Sequence, residues 1–267
     1  MKENVSGKKN DWDARVYSRV ARPHREWAAA LLDRLDLRGE EHVLDAGCGS
    51  GQVTRMLLER VPRGRVTGVD LSPAMLAEAR AALSDAIAAG RLILIEDDLT
   101  RVRLPEPVDA VFSNATFHWI RDHTALFTNL ARNMRAGAWL VAQCGGAGNI
   151  ARVERLADEA MASPPFAAYR AAVARPYRFA TAEETARLLR EAGFAAIETW
   201  LEPSPQRFAD AAAFAEFLRT VVLRPYIDAL PEALRVPFSE AVAALDAERG
   251  AMRTVDYVRL NIIARRA

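Results

Sequence analysis

The chain has 267 residues and a formal charge of +1, from 36 Lys and Arg against 35 Asp and Glu; 51% of it is apolar and 27% charged. That balance can bury a sizeable core, excludes a disordered chain and disfavours a dedicated nucleic-acid binder, which carries a basic excess or stripe. Two cysteines, Cys48 and Cys144, are too few for a disulfide framework, and no apolar run approaches the ~20 residues that span a membrane. A cytoplasmic protein with no membrane segment is expected, and composition carries no signal for an oligomeric state.

In chain order, residues 1–10 read as polar and frayed. From Asp11 to Leu37 the spacing of Val16, Val20, Trp27, Leu31 and Leu35 suits an amphipathic helix broken at Pro23. His42 to Ala46 is a short apolar strand that runs into Gly47-Cys48-Gly49-Ser50-Gly51, followed by a helix over Val53 to Val61. A strand from Arg65 ends at Asp70. Ser72 and Pro73 supply N-cap and first position of a helix predicted to reach Ala89, with Gly90 placed to end it.

Leu92 to Ile95 is a third strand, Val108 to Ser113 a fourth, Asp122 to Met134 a helix and Trp139 to Cys144 a fifth strand. Short apolar strands alternating with helices predict βαβ units and a parallel sheet covered on both faces. Beyond Gly145 the pattern loosens, with a helical piece over Ile150 to Met161. Thr181-x-x-Glu184 reads as a capping box for a helix ending near Gly193. Ala195 to Leu201 follows as a strand, then Ala- and Leu-rich helices over about 208–248, divided by Pro225, Pro231 and Pro237. Thr254 to Ala264 reads as one closing antiparallel strand, in which Val258, Leu260 and Ile262 alternate with Tyr257, Arg259 and Asn261. The division expected is a helical arm (1–38) and a main domain (39–267) with cap segments at about 146–180 and 208–248.

The most informative segment is strand, Asp45-x-Gly47-x-Gly49-x-Gly51, helix. Glycine admits positive φ and lets a ligand approach the backbone. A turn after the first strand of an open α/β sheet lies where such sheets bind ligands. The Gly-x-Gly-x-Gly spacing differs from the Gly-x-Gly-x-x-Gly of dinucleotide folds, and Asp45 would repel a phosphate but can accept from an ammonium. A nucleotide-dependent oxidoreductase is therefore a poorer fit. Asp70 stands 23 positions after Gly47, in the range of an acid that holds a ribose diol. Asp97 and Asp98 close the third strand, where a carboxylate can accept from an adenine amino group and the N–H of Leu99 can meet the ring; Asp98 is favoured of the two.

These segments, with Gly68-Val69-Asp70-Leu71-Ser72, resemble the class I S-adenosylmethionine-dependent methyltransferases. Asp109 to Trp119, followed by Asp122-His123, is similar to the branch that holds trans-aconitate, malonyl carrier-protein and juvenile hormone acid methyltransferases. The resemblance runs from about Trp12 to the terminal strand and is specific between about 42 and 145. It implies a doubly wound, Rossmann-like seven-stranded α/β sheet with its last strand antiparallel. It implies that S-adenosylmethionine is the cofactor and S-adenosylhomocysteine the product. Asp45 and Gly47 would hold the methionine part, with Gly49 in the turn and Gln52 at the start of the next helix; Asp70 and Leu71 would flank the ribose. Asp98 and Leu99 would meet the adenine, Asn114 and Ala115 would lie under the sulfonium, and Tyr17 would cap the cofactor. His118 departs from the trans-aconitate branch, where glutamine is usual before the tryptophan.

On the acceptor side, His118 and Trp119 are the candidate catalytic pair, with Trp119 and Arg224 as candidate substrate contacts and Asn149 and Arg178 as weaker ones. Imidazole can donate to a carboxylate or act as base; a helix-start histidine bonded to backbone is the plainer alternative. No acid–base pair or metal-ligand spacing accompanies the glycine turn. The expected activity is methylation of a small organic molecule, with carboxyl O-methylation favoured over O-, N- or C-methylation of a phenol or other metabolite with His118 as base. A protein that binds the cofactor without turnover is the reading from another class. After the fourth strand stands Ser113-Asn114-Ala115-Thr116, not the Asn-Pro-Pro-Tyr type of segment used on base amino groups, which again disfavours a nucleic-acid partner.

Overall fold

A computed structural model describes residues 28–250 and 252–267. The helical arm therefore lies largely outside the described residues; within them residues 28–32 are helical, and Leu31, Leu32 and Leu35 are buried.

Five parallel strands, β1 (His42–Ala46), β2 (Arg65–Asp70), β3 (Leu92–Glu96), β4 (Val108–Asn114) and β5 (Met134–Gly145), are followed by β6 (Phe194–Pro203). Gln206–Arg207 (β7) and Thr254–Val255 (β8) form a separate two-stranded ribbon, and Val258–Arg266 (β9) completes the main sheet. The seven-stranded order is β3-β2-β1-β4-β5-β9-β6, with β9 antiparallel to both neighbours. The expected fold and its antiparallel last strand are thus present. The sequence order reverses between β1 and β4, so the crevice at the carboxyl ends of these strands is the topological switch point.

The predicted helices form with shifted ends. Helix α1 is Gln52–Arg60, and the single helix expected from Pro73 to Ala89 is two, α2 (Pro73–Ala82) and α3 (Ser84–Ala88), parted at Leu83, which turns inward out of helical geometry. Ser72 caps α2 as expected, accepting from Met75 N–H at 3.3 Å. Helix α4 (His123–Arg132) stops before Met134, which belongs to β5 instead. The Asn133 side chain stops it, accepting from Leu104 N–H (2.9 Å) and donating to Val102 (3.1 Å). After α5 (Ala151–Met161) and a 3-10 stretch (Phe166–Ala172), helix α6 (Ala182–Glu191) is capped by Thr181, but no reciprocal box forms. Glu184 turns instead to Arg178, which also donates to the Arg121 carbonyl, so Arg178 fastens the chain rather than facing a ligand.

The region 208–248 holds α7 (Ala211–Phe217), a π turn (Leu218–Val222), α8 (Arg224–Ala229) and α9 (Glu232–Glu248). Pro225 and Pro231 stand at helix starts, whereas Pro237 lies inside α9 rather than dividing it. Phe214, Phe217 and Leu218 are buried with Val153, Leu156 and Phe238 in an apolar core shared by both cap segments and separate from the two cores that flank the sheet. The closing segment is a correction: Thr254–Val255 leave the sheet to pair with Gln206–Arg207, tying together the two ends of the insertion. In β9 the expected alternation of buried and exposed residues is absent. Asn261 is as buried as Leu260 and Ile262, because the strand sits between β5 and β6 with both faces covered.

Candidate functional site

The carboxyl ends of β1, β2 and β4 and the loop after β3 enclose a cleft of about 1020 Å³. Every cofactor residue expected from the sequence lines it except Tyr17, which lies outside the described residues.

Backbone geometry explains the glycines individually. Gly47 and Cys48 both donate to the Val69 carbonyl, at 2.8 and 3.1 Å, pinning the turn to the neighbouring strand. Gly47 takes φ +86°, and a Cβ there would lie 2.1 Å from Thr116 Oγ1, so this position needs glycine for packing. Gly49 differs: at φ +52° a Cβ would meet no atom of the described residues within 4 Å, leaving space open at the cleft wall. Cys48 is buried, and burial raises its thiol pKa well above the ordinary value, which suits a packed small residue and not a nucleophile.

Two carboxylates face the turn. Asp45 is 1% exposed and accepts from the Thr54 hydroxyl at 2.6 Å. Burial pushes its pKa up to about 7 and the charge of Asp70 adds to this, against the opposing Thr54 hydrogen bond. Asp70 is held at the tip of β2 by the N–H groups of Gly49 (2.8 Å) and Ser72 (2.9 Å). The acid is thereby aimed by the glycine turn itself. Beyond it, the Leu71 side chain is 58% exposed at the cleft edge.

In the loop after β3, Asp97 accepts from Asp98 N–H (2.7 Å) and pairs with Arg101 (3.1 Å). One oxygen of Asp98 takes both the N–H and the hydroxyl of Thr100, each at 2.8 Å, and the Leu99 side chain is buried beneath. Gln52, the first residue of α1, lines the cleft beside the turn. Asn114 ends β4, and Ala115 follows in the left-handed region at φ +58°, its N–H donating to the Gln143 carbonyl at 2.7 Å. A non-glycine residue held there is strained, and such residues cluster at functional sites.

The acceptor-side residues separate. His118 and Trp119 lie on a 3-10 turn (Phe117–Trp119), and Trp119 faces both the main cleft and a smaller cavity of about 90 Å³. His118 and Asn149 line only the smaller one. His118 Nδ1 accepts from Gly145 N–H at 3.2 Å, which assigns the ring proton to Nε2 and leaves that nitrogen a donor. Asn149 is anchored as well, its Oδ1 accepting from Val258 N–H at 2.9 Å. Arg224 is on the rim of the main cleft, paired with Asp228 at 3.0 Å, and does not join His118 and Asn149.

The small cavity also brings in residues that the sequence reading passed over: Tyr177, Phe179, Tyr257 and Arg259. Arg259 reads in the sequence as the polar half of an alternating strand. The antiparallel direction of β9 explains its place. Its first residues arrive at the sheet edge where β5 ends, so Arg259 pairs in register with Gly145.

The vacant space beside Gly49, the buried acid at Asp45 and the backbone-aimed Asp70 suit a ligand with an ammonium group and a ribose diol, which S-adenosylmethionine has. Comparison with known proteins agrees. Residues 43–137 match the methyltransferase domain family. The chain is 32% identical to trans-aconitate 2-methyltransferase of Methylobacterium nodulans over 96% of its own length and 98% of that protein's. It is equally 32% identical to the trans-aconitate 2-methyltransferase of Delftia acidovorans, again over 96% and 98%. Among solved structures it is similar to phosphoethanolamine N-methyltransferase 2 of Haemonchus contortus in complex with S-adenosyl-L-methionine. The TM-score is 0.62 at 19% identity, covering 95% of this chain and 57% of that one. The chain belongs to the trans-aconitate 2-methyltransferase family of S-adenosylmethionine-dependent methyltransferases.

Proposed function

We propose that this methyltransferase esterifies a carboxylate of a small organic acid, with trans-aconitate, named in its relatives, as the first acceptor to try. The observation that carries the reading is the hydrogen bond from Gly145 N–H to His118 Nδ1. With its lone pair engaged there and its proton on Nε2, the imidazole is not poised as a base, and a carboxylate needs none because it is already deprotonated at neutral pH. A phenol or amine would require a base at this position, so those acceptors are disfavoured.

S-adenosylmethionine, when bound, supplies an electrophilic methyl group on a sulfonium. Asp45 would receive its ammonium, Gly49 would give room beside the turn, and Asp70 with Leu71 would flank its ribose. Asp98 and Leu99 would meet the adenine, with Asp97 behind them. Asn114 and the strained Ala115 would form the floor where cleft and small cavity meet, and Gln52 would close the side next to α1. Trp119 would wall the passage between them, and an aromatic wall there keeps water away. The enzyme's contribution is then proximity and alignment, the term that holding two reactants in line supplies. A cytoplasmic location belongs to the same reading, supported by two buried free thiols, Cys48 and Cys144.

Turnover with trans-aconitate and S-adenosylmethionine, with the product identified as a base-labile methyl ester, tests this. Methyl transfer to phenols but to no acid would overturn it.

A further inference from the structure

The segment between β4 and α4 carries His118 and Trp119, and its shape decides what those two side chains face. Its backbone is a single 3-10 turn, in which Trp119 N–H donates to the Thr116 carbonyl at 2.9 Å and Ile120 N–H to the Phe117 carbonyl at 3.0 Å. Hydrogen-bond geometry in such a turn is poorer than in an α-helix. The turn also follows Ala115, whose left-handed backbone is strained. It keeps one conformation only if its surroundings hold it.

Three of its carbonyls are held by side chains or backbone from beyond the turn. His123, the first residue of α4, is 1% exposed and folds its ring back, so that Nε2 lies 3.1 Å from the Phe117 carbonyl oxygen. A carbonyl only accepts, which places the ring proton on Nε2. Burial lowers the pKa of this ring, so it is neutral at neutral pH. Nδ1 is buried with no hydrogen-bond partner among the described residues. An unmet buried acceptor costs stability, so packing alone does not account for a histidine here; the bond to Phe117 does. Phe127 packs against both ends of that bond, its ring centroid 5.7 Å from His123 and 6.0 Å from Phe117. The other hold comes from Arg178. Its N–H donates to the His118 carbonyl at 2.8 Å, and its guanidinium, braced by Glu184, donates to the Arg121 carbonyl at 2.8 Å. Neither His123 nor Arg178 lines the main cleft or the small cavity.

We propose that His123 and Arg178 are positioning residues for methyl transfer: they hold the turn so that Trp119 stands between the two cavities and the acceptor meets the methyl group in line. His123 acts through the Phe117 carbonyl, Arg178 through those of His118 and Arg121. A misplacement of about 1 Å can cost on the order of 100-fold in rate, whereas the glycine turn and the acids of the cofactor cleft lie on other segments and stay in place. The inference rests on placing the acceptor beside this turn, as in the reading above, and not on the acceptor being an acid.

The test is steady-state kinetics, with S-adenosylhomocysteine calorimetry and melting curves, on full-length His123→Leu, His123→Asn, His123→Gln and Arg178→Met proteins. Glutamine puts its amide nitrogen where Nε2 stands, asparagine reaches only the Nδ1 position, and leucine has no donor. His123→Leu and His123→Asn should lower kcat by about tenfold or more, with S-adenosylhomocysteine affinity within about twofold, while His123→Gln keeps kcat within about threefold of the unaltered protein. Arg178→Met should also lower kcat without weakening S-adenosylhomocysteine. A merely structural role predicts lower melting temperatures and a kcat per folded molecule that does not depend on the donor; that result, or a His123→Gln protein as slow as His123→Leu, would overturn the proposal. If His123→Leu does not fold, the contrast of asparagine with glutamine, together with Arg178→Met, decides. The acceptor used is whichever acid or phenol the unaltered enzyme methylates. Transfer to phenols alone removes carboxyl methylation and leaves the four variants to decide the clamp, whereas ester formation at an unchanged rate in all four removes only the clamp.

Discussion

The two halves of the site are built by different means. The cleft under β1, β2 and β4 is made by short contiguous stretches: Asp45 to Gln52, Asp70 to Ser72, Asp97 to Thr100 and Asn114 to Thr116 all occupy strand ends or the turns that follow. There the backbone does most of the positioning, as the Gly49–Asp70 bond shows. The small cavity draws on residues as far apart as Ala115 and Arg259, placed by an antiparallel strand and a helical insertion. A site fixed by local backbone can keep one ligand while a site assembled from distant side chains changes, which suits a shared cofactor beside variable acceptors.

The sharpest break in that comparison should come from the glycines. Gly49→Val places a side chain in the open space at the cleft wall and strains a turn residue held at φ +52°, so calorimetry on the folded variant should find cofactor binding abolished, with a melting temperature lowered by the strain alone. Gly47→Ala should act on folding instead, lowering the melting temperature by several degrees, because its Cβ collides with Thr116. A folded Gly49→Val protein that still binds would refute the reading of the turn.

Asp70→Ala comes next. Charged hydrogen bonds are worth about 1.5–3 kcal/mol, so cofactor affinity should fall by roughly 10- to 150-fold. Unchanged affinity would remove Asp70 from the ribose.

Asp45 gives a pH signature. Its raised pKa means that the folded, cofactor-free protein holds this proton more tightly than the unfolded chain does. Stability should therefore fall as pH rises from about 4 towards 7, with a slope of up to about 1.4 kcal/mol per pH unit from this group. Asp45→Asn should flatten that part of the profile. If the carboxylate receives the cofactor's ammonium, affinity should rise with pH up to about 7, and binding at pH 6 should release a proton, measured as a dependence of the calorimetric heat on buffer ionisation enthalpy.

Smaller effects belong to the acceptor side. His118→Ala should lower turnover by about tenfold, the scale of one hydrogen bond, with cofactor affinity unchanged. Arg224→Ala should change stability by less than about 0.5 kcal/mol, since its pairing with Asp228 is a partly exposed helix pair. A large rise in acceptor KM on losing Arg224 would instead move the carboxylate contact to the cleft rim.

Much of the fold was legible in the sequence because alternating apolar strands and capped helices are local signals; Ser72 and Thr181 cap where expected. The misplaced ends have tertiary causes. Leu83 breaks a helix to reach the core, and Asn133 stops α4 through bonds to the loop at residues 102–104. That these strand ends and turns would gather at one cleft was legible for the same local reason, although the sequence did not show that Gly47 answers to Thr116. The small cavity was not. Arg259 read as the polar half of an alternating strand, and only the placement of β9 between β5 and β6 reveals a cation enclosed on both sides. Asn149 and Arg224, grouped in the sequence reading as acceptor contacts, fall in different cavities because the helical insertion carries Arg224 to the rim.

The most direct measurement is a methyl-transfer assay with S-adenosylmethionine and trans-aconitate, with the product's mass and base lability determined. A monomethyl ester, hydrolysed by alkali back to the acid, is the predicted result. Transfer to a phenolic hydroxyl or amine, with no ester from any small acid, would contradict the account.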